Sequence, residues 1–134
     1  MAFDHKHLID ITEYSADDIM TILETAKTFK QVNERRIKKV PTLKGFTVVN
    51  MFNEPSTRTR SSFEIAEKRL SANSLNFGGS SPSTVKGESL VDTVKTLCSY
   101  KIDCIVVRDR WAGVPRKIAD VSGVSVIDAG DGKH

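Results

Sequence analysis

Between Ser15 and Pro41, the apolar positions Ile19, Ile22, Leu23, Ala26 and Phe29 recur at helical spacing. Ser15, followed by Asp17 and Asp18, offers a hydroxyl cap and two carboxylates to the free amides of a first turn. The spacing predicts one long amphipathic helix that fades at Asn33-Glu34-Arg35-Arg36 before Pro41 stops it. The run Phe46 to Phe52 is short, β-branched and bounded by Gly45 and Pro55, which predicts a buried strand. The alternation then repeats, with a helix over about Ser61 to Leu70, a strand at Ser74 to Phe77, a polar loop and a helix over about Ser89 to Tyr100. Strands at Cys104 to Val107 and Val124 to Ile127 flank a helical segment, Val114 to Val121, with Pro115 near its start.

Helices alternating with short apolar strands imply crossover connections. The expected class is therefore α/β: a parallel sheet of about four strands with helices on both faces. With 134 residues, 39% of them hydrophobic, the chain suffices for one packed core, so a single domain over 1–134 is expected. Twenty Lys+Arg against 17 Asp+Glu leave a formal charge of +3, a small excess that gives no support to a nucleic-acid partner. No apolar stretch approaches the roughly 20 residues of a membrane span, and the opening MAFDHKHLID lacks the apolar core of a signal peptide. A soluble cytoplasmic protein is expected, and Cys98 and Cys104, in apolar contexts, suit core thiols in a reducing compartment. His5, His7 and His134 make no zinc spacing with them, so no metal is expected.

In an open parallel sheet, ligands bind beyond the carboxyl ends of the strands. After the first strand, Asn53-Glu54-Pro55-Ser56-Thr57-Arg58-Thr59-Arg60 brings hydroxyls and guanidiniums to the start of a helix, where free amides and the helix dipole favour an anion. After the second comes a Gly- and Ser-rich loop, Gly78 to Thr84, then Val85-Lys86, in which a lysine can swing over a bound anion. Its glycines lack Walker A spacing, which argues against a nucleoside triphosphate. The third strand runs into Arg108-Asp109-Arg110, and the fourth into Asp128-Ala129-Gly130-Asp131-Gly132. In a parallel sheet Arg108 reaches the same edge as Arg58, and two convergent guanidiniums mark a multiply charged anion. Arg110 reads as a surface residue, Trp111 as either a surface or an interface residue, and Gly130 and Gly132 permit a tight backbone at the rim.

The run Phe52-Asn53-Glu54-Pro55-Ser56-Thr57-Arg58-Thr59-Arg60-Ser61-Ser62-Phe63-Glu64-Ile65-Ala66 resembles the signature of the aspartate/ornithine carbamoyltransferase family. Lys86-Gly87-Glu88-Ser89-Leu90 with Asp92-Thr93, and Ala129-Gly130-Asp131-Gly132, resemble its aspartate branch. The likeness covers essentially the whole chain, as the carbamoyl-phosphate half of a catalytic chain. It implies that Ser56, Thr57, Arg58 and Thr59 form the phosphate-binding turn and that Thr59 and Arg108 each bridge phosphate and carbonyl oxygen. It further implies that Lys86 and a loop serine, here matched to Ser83, enter the site of a neighbouring subunit in a homotrimer. No metal or organic cofactor is implied, and a regulatory partner is left open.

The implied activity is carbamoyl transfer from carbamoyl phosphate to L-aspartate in pyrimidine biosynthesis. An ornithine enzyme and a non-catalytic phosphate-binding or assembly module are the alternatives. Two departures stand out. The family commonly has His-Pro where this chain has Asp109-Arg110, and its rim continues to His-Pro-Thr-Gln, which this chain does not reach, so His134 does not match the family's catalytic histidine. The expectation is a chain that holds one substrate, lacks the groups for the other, and has little or no turnover alone.

Overall fold

The structure, a computed structural model, describes residues 3–78 and 87–131, the side chains of 87–89 excepted. Strand β1 (Thr47–Phe52) buries five of its six residues. Strands buried on both faces read as continuous apolar runs, which explains the stretch that marked this one in the sequence. It is joined by β2 (Asn73–Phe77), β3 (Cys104–Arg108) and β4 (Ser125–Asp128) in an all-parallel sheet of order β2-β1-β3-β4. Helix α1 (Ala16–Lys30) precedes the sheet, and α2 (Thr57–Arg69), α3 (Gly87–Cys98) and α4 (Val114–Ser122) connect its strands.

Successive strand side chains point to opposite faces. Val49, Met51, Ile105, Val107 and Val126 pack with Leu90, Val94 and Leu97 of α3 and Val114, Ile118 and Ala119 of α4. Val48, Phe52 and Val106 face the other way, with Ala72, Leu43 and Phe63 of α2. The chain leaves β1 for β2 through α2 on one face and reaches β3, on the other side of β1, through α3 on the opposite face. The connections therefore diverge between β1 and β3, where open α/β sheets form a ligand crevice. Phe52 and Arg108 are partners in register, so the two strands end side by side there.

Helix α1 starts where its carboxylates predict. Ser15 Oγ accepts from the Asp18 amide at 3.0 Å, and Asp18 Oδ2 accepts from the Ser15 amide at 3.0 Å, a reciprocal cap. It continues into a 3-10 helix, Gln31–Glu34. Helix α2 departs from expectation by beginning at Thr57 instead of near Ser61. Ser56 stands at its cap position, but its first turn carries β-branched threonines and no acid, so only part of the usual signature of a helix start is present. A contact not foreseen in the sequence is made by Leu8, which pairs with β4 through its amide to Val126 O (2.8 Å) and its carbonyl from the Asp128 amide (2.8 Å). A single bridging residue has no period to detect. Among the described residues, no helix is long and apolar enough to cross a membrane.

Beneath the sheet on the α2 face lies Glu67, only 5% exposed. Its Oε1 accepts from Asn50 Nδ2 (2.8 Å) and Ser74 Oγ (2.8 Å), while Oε2 is buried with no hydrogen-bond partner among the described residues. Burial raises the pKa of this carboxyl above its ordinary value, against the lowering effect of those two hydrogen bonds. The folded state therefore holds this proton more tightly than the unfolded chain, and stability falls as pH rises from the ordinary carboxylate value through the raised one. Glu67→Gln keeps an acceptor for Asn50 and Ser74 and removes the buried charge. We expect the variant to melt a few degrees above wild type at pH 7, with the gap closing as pH falls toward 4. Thermal melts of both proteins across that range check this.

Candidate anion-binding site

The start of α2 differs from that of α1 in having no side-chain cap. Ser56 sits at φ −159°, ψ 80°, its hydroxyl caps nothing, and no acid occupies the first turn. The first bond of the helix runs from the Arg60 amide to Ser56 O at 3.0 Å. The amides of Thr57, Arg58 and Thr59 precede it and have no carbonyl partner within the helix. Thr57 and Arg58 are exposed and Ser56 and Thr59 half-buried. Three amide donors, three hydroxyls and a guanidinium at the positive end of a helix dipole are the donor set an anion would need.

Arg108 stands at the neighbouring strand exit. The Asn53 amide donates to its carbonyl at 2.9 Å, which ties β1 to β3 where α2 approaches. Arg108 Nη1 donates to Ala129 O at 2.8 Å, and Nε lies 3.7 Å from Glu54 Oε1, too far for a hydrogen bond. The carboxylate contact of Arg108 is therefore present but loose. A guanidinium has five N–H donors, and the Ala129 bond uses one, so Arg108 can keep its rim contact and still grip an anion.

The rim is shaped around this side chain. A Cβ on Gly130 would lie 2.8 Å from Arg108 Nη1, and the residue's φ of +133° disfavours any other side chain. Gly130→Ala is thus expected to cost about 1–3 kcal/mol of stability and to displace Arg108. A calorimetric phosphate titration should show weaker binding by that variant than by wild type.

The sequence thus brings Ser56, Thr57, Arg58, Thr59 and Arg108 to one edge of the sheet, while Ser83, Lys86, Gly132 and His134 lie outside the described residues. Arg110 is exposed, its guanidinium 5.4 Å from the ring centre of Trp111, itself 55% exposed. Sequence reasoning missed Glu54 and Asp109 as neighbours of Arg108. Their proximity to the two adjacent strand ends was the available signal.

Other chemistry finds little support. Among the described residues no group of three or more His, Cys, Asp or Glu could hold a metal ion. His5 Nε2 is 2.8 Å from Asp18 Oδ2, and His7 Nδ1 accepts from the Val126 amide at 3.1 Å. Burial, then Lys6 and Arg116, lowers the pKa of His7 and favours its neutral ring. Burial, with Glu67 and Asp103, pushes the Cys104 thiol up to about 12, so it is no thiolate nucleophile. Burial also raises the pKa of Cys98, whose Sγ donates to Ser122 O at 3.5 Å.

Residues 6–134 match the model of the aspartate/ornithine carbamoyltransferase carbamoyl-P binding domain. The aspartate carbamoyltransferase catalytic subunit of Syntrophotalea carbinolica is 55% identical over 134 residues, which are 100% of this chain and 43% of that protein. The chain thus spans less than half the length of such relatives. The catalytic subunit of M. jannaschii aspartate transcarbamoylase overlays with a TM-score of 0.83 at 38% identity, over 96% of this chain and 42% of that one. The ornithine carbamoyltransferase of Pyrococcus furiosus overlays with a TM-score of 0.84 at 33% identity, over 98% and 41%. The fold is common to both branches, and the higher identity to the aspartate subunits disfavours the ornithine alternative.

Proposed function

The chain belongs to the aspartate/ornithine carbamoyltransferase family, and from that premise we propose that residues 1–134 form the carbamoyl-phosphate-binding half of an aspartate carbamoyltransferase catalytic chain. It works in the cytoplasm, in pyrimidine biosynthesis, as part of a homotrimer. The observation that carries this reading is the uncapped, acid-free first turn of α2, set beside Arg108 at the switch between β1 and β3.

The phosphate dianion of carbamoyl phosphate sits on the amides of Thr57, Arg58 and Thr59 and the hydroxyls of Ser56, Thr57 and Thr59, with the Arg58 guanidinium as a two-pronged partner. Thr59 and Arg108 reach the carbonyl oxygen. The uncharged aspartate amine attacks the carbonyl carbon, negative charge collects on that oxygen, and the tetrahedral intermediate collapses by breaking the bond to the phosphate oxygen, the amine's extra proton passing to the departing phosphate. Preorganised donors at such an oxygen typically supply about 3 kcal/mol each. Ser83 and Lys86 are assigned to the site of a neighbouring subunit. No metal or organic cofactor enters the reaction.

Calorimetric titration of the 134-residue chain tests this reading. One site per chain for carbamoyl phosphate, weaker binding of inorganic phosphate and no turnover on adding L-aspartate are expected. Failure of both ligands to bind would refute the reading, and so would steady-state turnover by this chain alone. Equal affinity for the two ligands would favour a plain phosphate-binding module. A trimeric mass in solution would locate the self-association surface in this half.

A further inference from the structure

Asp109 follows Arg108 directly and is 1% exposed. Its Oδ2 accepts from Asn53 Nδ2 at 3.0 Å, and its Oδ1 accepts from the Trp111 amide at 2.8 Å. Its own amide donates to Gly130 O at 2.8 Å, and the Asn53 amide returns to Arg108 O at 2.9 Å. One buried side chain thus joins the exits of β1 and β3, and the same residue's backbone joins β3 to the rim after β4. Gly78 passes close to the far edge of Asn53, where a Cβ would be 2.6 Å from Asn53 Oδ1.

We propose that Asp109 is a positioning residue for the anion site: through Asn53 it fixes the end of β3 so that Arg108 presents its free N–H groups to the turn at α2. This rests on the proposed anion reading of Arg58 and Arg108. The consequence has a sign that electrostatics alone would reverse. Asp109 is a carboxylate beside a site for a dianion, so removing its charge should by Coulomb's law tighten anion binding. If the side chain acts as a tie, Asp109→Asn weakens binding instead, because an amide that keeps its oxygen on the Trp111 amide turns its NH2 toward the NH2 of Asn53. Asn53→Asp is worse, since it faces two carboxylates across the same contact. The exchange N53D/D109N restores one donor and one acceptor at the wild-type net charge.

The test is a double-mutant cycle read by calorimetric titration with inorganic phosphate, with the Arg108 Nε–H resonance as a second readout. D109N is expected to bind phosphate about 10-fold more weakly and N53D more weakly still, with the exchange within about threefold of wild type. The Arg108 resonance should move in both single variants and return in the exchange. Phosphate binding by D109N as tight as wild type or tighter would overturn the proposal. So would an exchange variant that regains the wild-type melting temperature without regaining affinity. If wild type binds no phosphate, the anion reading fails by itself, and the tie is then judged on the Arg108 resonance, which an idle Asp109 would leave unmoved in D109N.

Discussion

Replacing Arg58 by alanine is expected to weaken binding of carbamoyl phosphate and of inorganic phosphate by roughly 100-fold or more while leaving the melting temperature within about 2 °C of wild type. The guanidinium is exposed and makes no hydrogen bond or ion pair with the described residues, so the fold loses nothing when it goes. A two-pronged arginine contact to a dianion comprises two charge-assisted hydrogen bonds of about 1.5–3 kcal/mol each, enough for the stated loss. Arg58→Lys keeps the charge and loses the fork, and should recover only part of the affinity. Calorimetry and thermal melts of the three proteins check both halves of the expectation.

Ile105→Ala is expected to do the reverse. Ile105 is fully buried in β3, in the core formed with α3 and α4. Truncation there should cost about 2–5 kcal/mol through lost burial and the cavity left behind. A domain of this size has about 5–15 kcal/mol in total, so the melting temperature should fall by roughly 10 °C or more. Ile105 lies three residues before Arg108 and does not face the crevice. Phosphate affinity measured well below the melting temperature should therefore stay within about twofold of wild type, additivity between distant sites being the rule. A large affinity loss in a fully folded Ile105→Ala protein would mean that the core of β3, and not only its end, sets the site.

The fold was legible because its two central strands, β1 and β3, are buried on both faces and its helices carry an apolar stripe. Thr47–Phe52 and Cys104–Arg108 announced themselves as β-branched apolar runs, and Ser15 with Asp18 announced the start of α1. The first turn of α2 was misplaced for a reason tied to its chemistry. Ser56 supplies a capping residue type, but the turn after it carries none of the acids that marked the start of α1. Parallel topology alone put Arg108 near that turn. Glu67 escaped notice because its partners Asn50 and Ser74 come from two different strands, and a lone Glu in a helix reads as surface. Asp109 was visible only as a departure from the family pattern, and the contacts that explain it join residues 56 positions apart.

On the proposed reading, the end of β3 and the first turn of α2 hold one phosphate together. Titrating isotopically labelled protein with inorganic phosphate, while following the backbone amides of Thr57, Arg58 and Thr59 and the Nε–H of Arg108 by NMR, tests it most directly. The predicted result is that all four resonances move along one saturating curve with a single dissociation constant. Amides of the α2 turn that stay fixed while phosphate binds elsewhere, or an Arg108 signal that titrates independently of them, would contradict it.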